Sequence, residues 1–147
     1  FMPGALGQRP YLFYAPVQTD KTAPAIKELL GEIRGYIGSK PATEAELDKI
    51  KAKDVRSLPG KFETLSAVAG AVQSIVTYDR PDDYVDTIKQ RTEAQTLAQI
   101  RDAAQQIITP DQLTWLIVGD LSAIEKPVRA LKLGDVILLD AEGLPQP

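Results

Sequence analysis

The chain has 147 residues, 44% of them hydrophobic and 25% charged, with a net charge of -3. That size suits one domain or part of a larger one, and the composition argues against disorder. The acidic balance disfavours nucleic acid, whose phosphates demand clustered Lys and Arg. With neither cysteine nor histidine, these residues alone build no disulfide, thiol nucleophile, Cys-zinc site or Ser-His-Asp triad, and lack the usual nitrogen ligand for catalytic zinc.

In chain order, residues 1–10 are rich in Pro and Gly and predict a loop. They carry no signal-peptide pattern. A chain that begins at Phe1 and runs almost at once into a strand pattern is expected to be a piece of something longer. In YLFYAPVQ, Tyr11, Phe13, Ala15 and Val17 alternate with Leu12, Tyr14 and Gln18, which predicts a strand. Pro16 confines it to an edge or ends it, because proline donates no ladder hydrogen bond. Asp20 or Thr22 then caps a helix whose stripe is Ile26, Leu29, Leu30, Ile33 and Ile37, closed by Gly38 and Pro41.

Thr43 and Glu46 have capping-box spacing and start a second helix with Leu47, Ile50, Val55 and Leu58 on its inner side. Pro59 biases Leu58 away from helical dihedrals and breaks the chain there. Phe62, Leu65, Val68, Ala69, Val72, Ile75 and Val76 mark the strongest amphipathic helix, which Asp79-Arg80-Pro81 stops. Asp82 or Asp83 begins a shorter helix carrying Tyr84, Val85 and Ile88. Thr96 with Gln99 forms a second capping box ahead of Leu97, Ile100, Ala103, Ala104 and Ile107.

The run Leu113-Thr114-Trp115-Leu116-Ile117-Val118 lacks polar alternation after Thr114, so a strand covered on both faces is expected. Ser122 and Glu125 again have capping-box spacing, but Pro127 costs a hydrogen bond inside a helix. A single turn at 122–126 and a helix restarting near Pro127 are therefore expected. DVILLD predicts a last short strand, and AEGLPQP a tail. The order β-α-α-α-α-α-β-α-β implies an α+β fold, a helical layer on a small, mainly antiparallel sheet. Three strands are few for so many helices, which itself suggests missing strands. An exposed sheet edge would favour self-association.

Four groups of side chains invite chemistry, and each has a simpler structural account. Asp120, in VGD after the apolar run, suggests a metal or phosphate site, but no Gly-rich phosphate loop follows, and a turn-capping carboxylate explains it. Asp82, Asp83 and Asp86 lack the alternating ligands and turn glycine of a calcium loop; acids in a helix's first turn suit its dipole. Lys49, Lys51, Lys53, Arg56 and Lys61 alternate with Asp48 and Asp54, as on a solvated face. Tyr11, Phe13 and Tyr14 suit either core packing or a peptide groove on an edge strand. No catalytic, cofactor-binding or metal-binding residue is assigned.

The ordered strings APVQTDKTAPAIKELLGEI, PATEAELDKIKAKDVRSLPGKFET, TPDQLTWLIVGD and IEKPVRALKLGDVILLDAEG resemble the C-terminal, non-catalytic lobe of insulinase/pitrilysin-type zinc metallopeptidases, especially the bacterial two-lobed members. The likeness runs from about Tyr11 to Gly143. It implies one segment comprising most of such a lobe without its first β-α-β portion. Two such lobes enclose a chamber, and the other lobe holds zinc in an H-x-x-E-H motif whose glutamate activates the attacking water. That motif has no counterpart here, nor do the Arg and Tyr that second lobes often supply.

The resemblance thus implies a substrate-chamber wall for a zinc protease, a hydrolase whose proteolysis is done by a His-containing catalytic lobe of the same or a paired polypeptide. Zinc and peptide substrates belong to that partner, and a periplasmic or membrane-associated bacterial location is implied. No nucleic acid or membrane span is expected. The alternative is a peptide- or protein-binding scaffold module from an inactive paralogue.

Overall fold

The computed structural model describes Leu6, Gly7 and residues 10–146. Of the loop expected over residues 1–10, all but Leu6, Gly7 and Pro10 lies outside the described residues. Among these there are six α-helices: α1 (Thr22–Ile37), α2 (Glu44–Arg56), α3 (Leu65–Thr77), α4 (Tyr84–Glu93), α5 (Leu97–Ile107) and α6 (Leu121–Arg129). Short 3-10 turns occupy Thr19–Lys21, Pro59–Phe62 and Pro110–Gln112.

No strand or sheet occurs among the described residues, whose regular structure is all-helical, and this overturns the α+β expectation. Residues 11–17, 113–118 and 135–138 lie outside regular structure, and the one β-type pairing is an isolated antiparallel bridge between Leu139 and Pro145. The physical reason is that side-chain alternation supplies only a strand's faces. A strand also needs a neighbouring backbone to take its N–H and C=O groups. Residues 113–118 have no such ladder; Leu113, Trp115 and Ile117 are half-buried, but Leu116 and Val118, expected to be covered, stand in solvent at 80% and 92% exposure.

The described residues fall into two compact units. One joins those up to Phe13 with Gly35–Thr109, and the other joins Tyr14–Arg34 with those from Pro110 onward. In the first unit, α2 begins as its sequence predicts. The Thr43 hydroxyl accepts the Glu46 N–H at 3.3 Å while the Glu46 carboxylate accepts the Thr43 N–H at 2.9 Å. Leu47 is buried, α2 packs on α4, and Lys51 Nζ donates to the Glu93 carbonyl at 3.0 Å. Thr96 and Gln99 repeat the reciprocal box at the start of α5. Arg101 and Gln105 on α5 donate to the carbonyls of Ala42 and Ile37.

Two junctions in this unit differ from expectation. Leu58 keeps helical dihedrals despite the following proline, because its carbonyl accepts the Lys61 N–H at 3.1 Å and closes the Pro59–Phe62 turn. The third helix starts later than its apolar stripe, at Leu65, because Thr64 caps it by accepting the Ala67 N–H at 3.1 Å. The stop at Asp79-Arg80-Pro81 is as predicted and has a definite form. Asp79 takes the left-handed conformation (φ 47°), and the Arg80 N–H returns to the Ile75 carbonyl at 3.0 Å, a Schellman closure. The apolar stripe of α3 is nevertheless not a core: Leu65, Val68, Val72 and Val76 are all exposed.

In the second unit, Ile26, Leu30 and Ile33 of the predicted α1 stripe are buried and are joined by Ala23, while Leu29 is half-buried. Arg34 pairs with Asp111 at 2.8 Å. α6 packs on the Thr19–Lys21 turn and is unbroken, contrary to the expected restart at Pro127. Its cap is Asp120 rather than Ser122. The helix tolerates Pro127 late in its length, where the Arg129–Glu125 pair at 2.8 Å clasps the turn around it. The expected tail turns back on itself instead. The Asp140 carboxylate accepts the N–H groups of Glu142 and Leu144, Gly143 adopts φ +80°, and the Gln146 N–H reaches the Leu138 carbonyl at 2.8 Å.

Candidate functional site

Asp120 is committed to structure. Its Oδ1 accepts the Ser122 hydroxyl at 2.7 Å and the Ser122 N–H at 3.0 Å at the start of α6. Those two bonds, the hydroxyl's first, hold its carboxyl below the usual carboxylate range. Ahead of it, Gly119 leaves the space beside Ile124 open, since a Cβ there would lie 3.2 Å from the Ile124 Cδ1. The VGD segment is thus a helix cap with a close apolar approach.

Asp83 is the N-cap of α4, though its side chain makes no capping bond, and Asp86 lies in the first turn. Among the described residues no group of three or more acidic side chains could hold a metal ion. With no His or Cys in the chain, the residues present do not fit a catalytic zinc. Of the basic stretch, Lys51 is engaged with the Glu93 carbonyl. Tyr11 and Phe13 pack edge to face with centroids 5.0 Å apart, half in solvent, whereas Tyr14 is fully displayed at 91% exposure.

The second unit carries a broad concavity. It encloses about 890 Å³ and is lined chiefly by apolar side chains, among them Trp115, Ile117, Ile124, Val128, Leu131 and Leu138. Of the three carboxylates on its wall, Glu125 pairs with Arg129, Asp140 accepts the backbone N–H groups of its turn, and Asp135 is the third. Such a groove chiefly offers contact area for an apolar surface.

The first unit carries a cluster that composition and periodicity gave no reason to single out. Arg80 lies over the rings of Tyr78 (4.8 Å from guanidinium carbon to centroid) and Tyr84 (4.3 Å). Arg91, two turns along α4 from Tyr84, lies over the same Tyr84 ring at 4.3 Å. Arg80 Nη1 also donates to the Ser74 hydroxyl at 2.8 Å. The i, i+7 spacing of Tyr84 and Arg91 was visible in the sequence. The reach of Arg80 to Tyr84 depends on the left-handed Asp79 turn, which was not.

No family model, curated protein or solved structure matches the chain. Among the described residues no helix is long and apolar enough to cross a membrane.

Proposed function

We propose that this chain is a non-catalytic wall segment of a zinc metallopeptidase, enclosing peptide substrate and contacting a His-containing catalytic lobe in the same or a paired polypeptide. The observation that carries the proposal is the ordered run of strings from APVQTDK through PATEAELDK and LPGKFET to LTWLIVGD and LKLGDVILLD, in a chain without a histidine or cysteine. The structure adds a physical motive for a partner. The valine stripe of α3 and the side chains of Leu116 and Val118 are exposed, and polypeptide contact is the usual way such surface is removed from water.

The test is co-expression of this chain with the polypeptide, in the same reading frame or an adjacent gene, that carries H-x-x-E-H. Expected is chelator-sensitive cleavage of a quenched peptide by the pair, with none by this chain plus zinc. Chelator-sensitive turnover by the chain alone, or absence of any H-x-x-E-H polypeptide beside it, refutes the peptidase assignment. Co-purification with a neighbour whose motif has lost its histidines supports instead the peptide- or protein-binding scaffold.

A further inference from the structure

We propose that Arg80 and Arg91, held around Tyr84, form a binding site for a carboxylate, the free C-terminus of a peptide being the larger ligand of that class. The inference is independent of the peptidase assignment. Both guanidinium carbons lie 4.3 Å from the same ring centroid, so they are no more than twice that distance apart. The ring's π system favours each cation, and an anion reached by both would offset what repulsion remains between them. Among the described residues neither guanidinium has a carboxylate within ion-pair distance, although other basic side chains do, as at Arg34–Asp111 and Arg129–Glu125.

The donor count leaves room for a ligand. A guanidinium has five N–H donors in a rigid plane, and stacking on a ring uses none of them. Arg80 spends one on Ser74, and the remaining in-plane donors of both arginines are open to an oxyanion. Charge-assisted N–H···O bonds of about 2.7–2.9 Å allow one carboxylate to span two guanidiniums so spaced. Positioning is already in place. Arg80 is half-buried between two tyrosines, and Arg91 is the exposed second arm, fixed by the ring.

The surrounding charge selects among anions. Asp79, Asp82, Asp83 and Asp86 occupy the same turn and the first turn of α4. Their field opposes a phosphate dianion more than a carboxylate monoanion, so the site favours carboxylate.

The experiment follows the arginine side-chain Nε–H and tyrosine ring signals by NMR in the whole chain. The probes are N-acetyl-tetra-alanine with a free C-terminus, its C-terminal amide, acetate and inorganic phosphate. Expected are saturable shifts at Arg80, Arg91 and Tyr84 with the free acid and none with the amide. Arg91→Gln should weaken binding at least tenfold, while Arg56→Gln on α2 leaves it unchanged. Arg91 lies on an exposed helix face, so its variant is expected to keep the wild-type circular dichroism spectrum. Acetate binding as tightly as the peptide assigns the site to small carboxylates; peptide binding tighter than acetate assigns it to chain termini. No shift with either carboxylate, equal shifts with the amide, binding that survives Arg91→Gln, or tighter binding of phosphate overturns the proposal.

Discussion

The starts of α2 and α5 and the apolar run at residues 113–118 were equally clear in the sequence, yet they fare differently in the structure. Thr43/Glu46 and Thr96/Gln99 form both reciprocal bonds, because every partner lies within three residues. The 113–118 run has the composition of a doubly covered strand but leaves Leu116 and Val118 in solvent, because its partners would have to come from distant chain. A motif that closes locally folds where it is written; a motif that needs a second segment is only half a specification.

The largest effect expected of a single substitution tests the two units separately. Ile33, 4% exposed on α1, is the most enclosed described side chain of the second unit, and Leu47, 7% exposed on α2, shares that place in the first unit with Ile108. Ile33→Ala and Leu47→Ala should each cost about 2–5 kcal/mol in denaturant unfolding. A cost under 1 kcal/mol for either would show that its unit has no consolidated core.

Thr43→Ala sharpens the local side of the comparison and should cost about 1 kcal/mol, read by the same unfolding curves, with a similar loss for Thr96→Ala. The Thr43 box also carries a pH signature that the Thr96 box, built with an uncharged glutamine, lacks. The Thr43 N–H, followed by its hydroxyl, holds the Glu46 carboxyl below its ordinary value. A depressed carboxylate contributes stability above the unfolded-state value, about 4.3 for Glu, and loses it as pH falls through the lower native value. Acid titration of α2 amide shifts should follow Glu46 below its unfolded-state value, and Glu46→Gln should flatten that response. An unchanged titration in Glu46→Gln would remove Glu46 as its source.

The smallest effect on stability belongs to the exposed run. Leu116→Lys and Val118→Lys should change unfolding free energy by no more than about 0.5 kcal/mol, as at other solvent-facing positions. Both should reduce self-association in sedimentation experiments. A loss of several kcal/mol would mean that these side chains are covered in solution.

Legibility followed the same division at the candidate site. Asp120 was readable as a turn carboxylate because its acceptors' partners, the hydroxyl and N–H of Ser122, are two residues away. Its role as the cap of α6 displaced the expected Ser122 cap, since an acceptor two residues earlier reached the free N–H groups first. The Arg80–Tyr84–Arg91 cluster was hidden because it needs the Schellman turn at Asp79 to bring Arg80 round to the helix that follows. The hairpin after Leu138 was hidden too, its cause being a single carboxylate, Asp140, gathering two N–H groups.

By itself the sequence determined the presence of helices in the five stretches α1 to α5, the capping boxes of α2 and α5, the stop after α3, most of the buried stripe of α1, and the absence of imidazole and thiol groups. Each of these depends on residue identity and on neighbours within about two turns. Tertiary structure alone decided that no sheet forms among the described residues, that the stripe of α3 faces solvent, and that two arginines share one tyrosine ring. Those outcomes depend on which distant groups meet, and hydrophobic pattern fixes which face seeks cover without fixing what covers it.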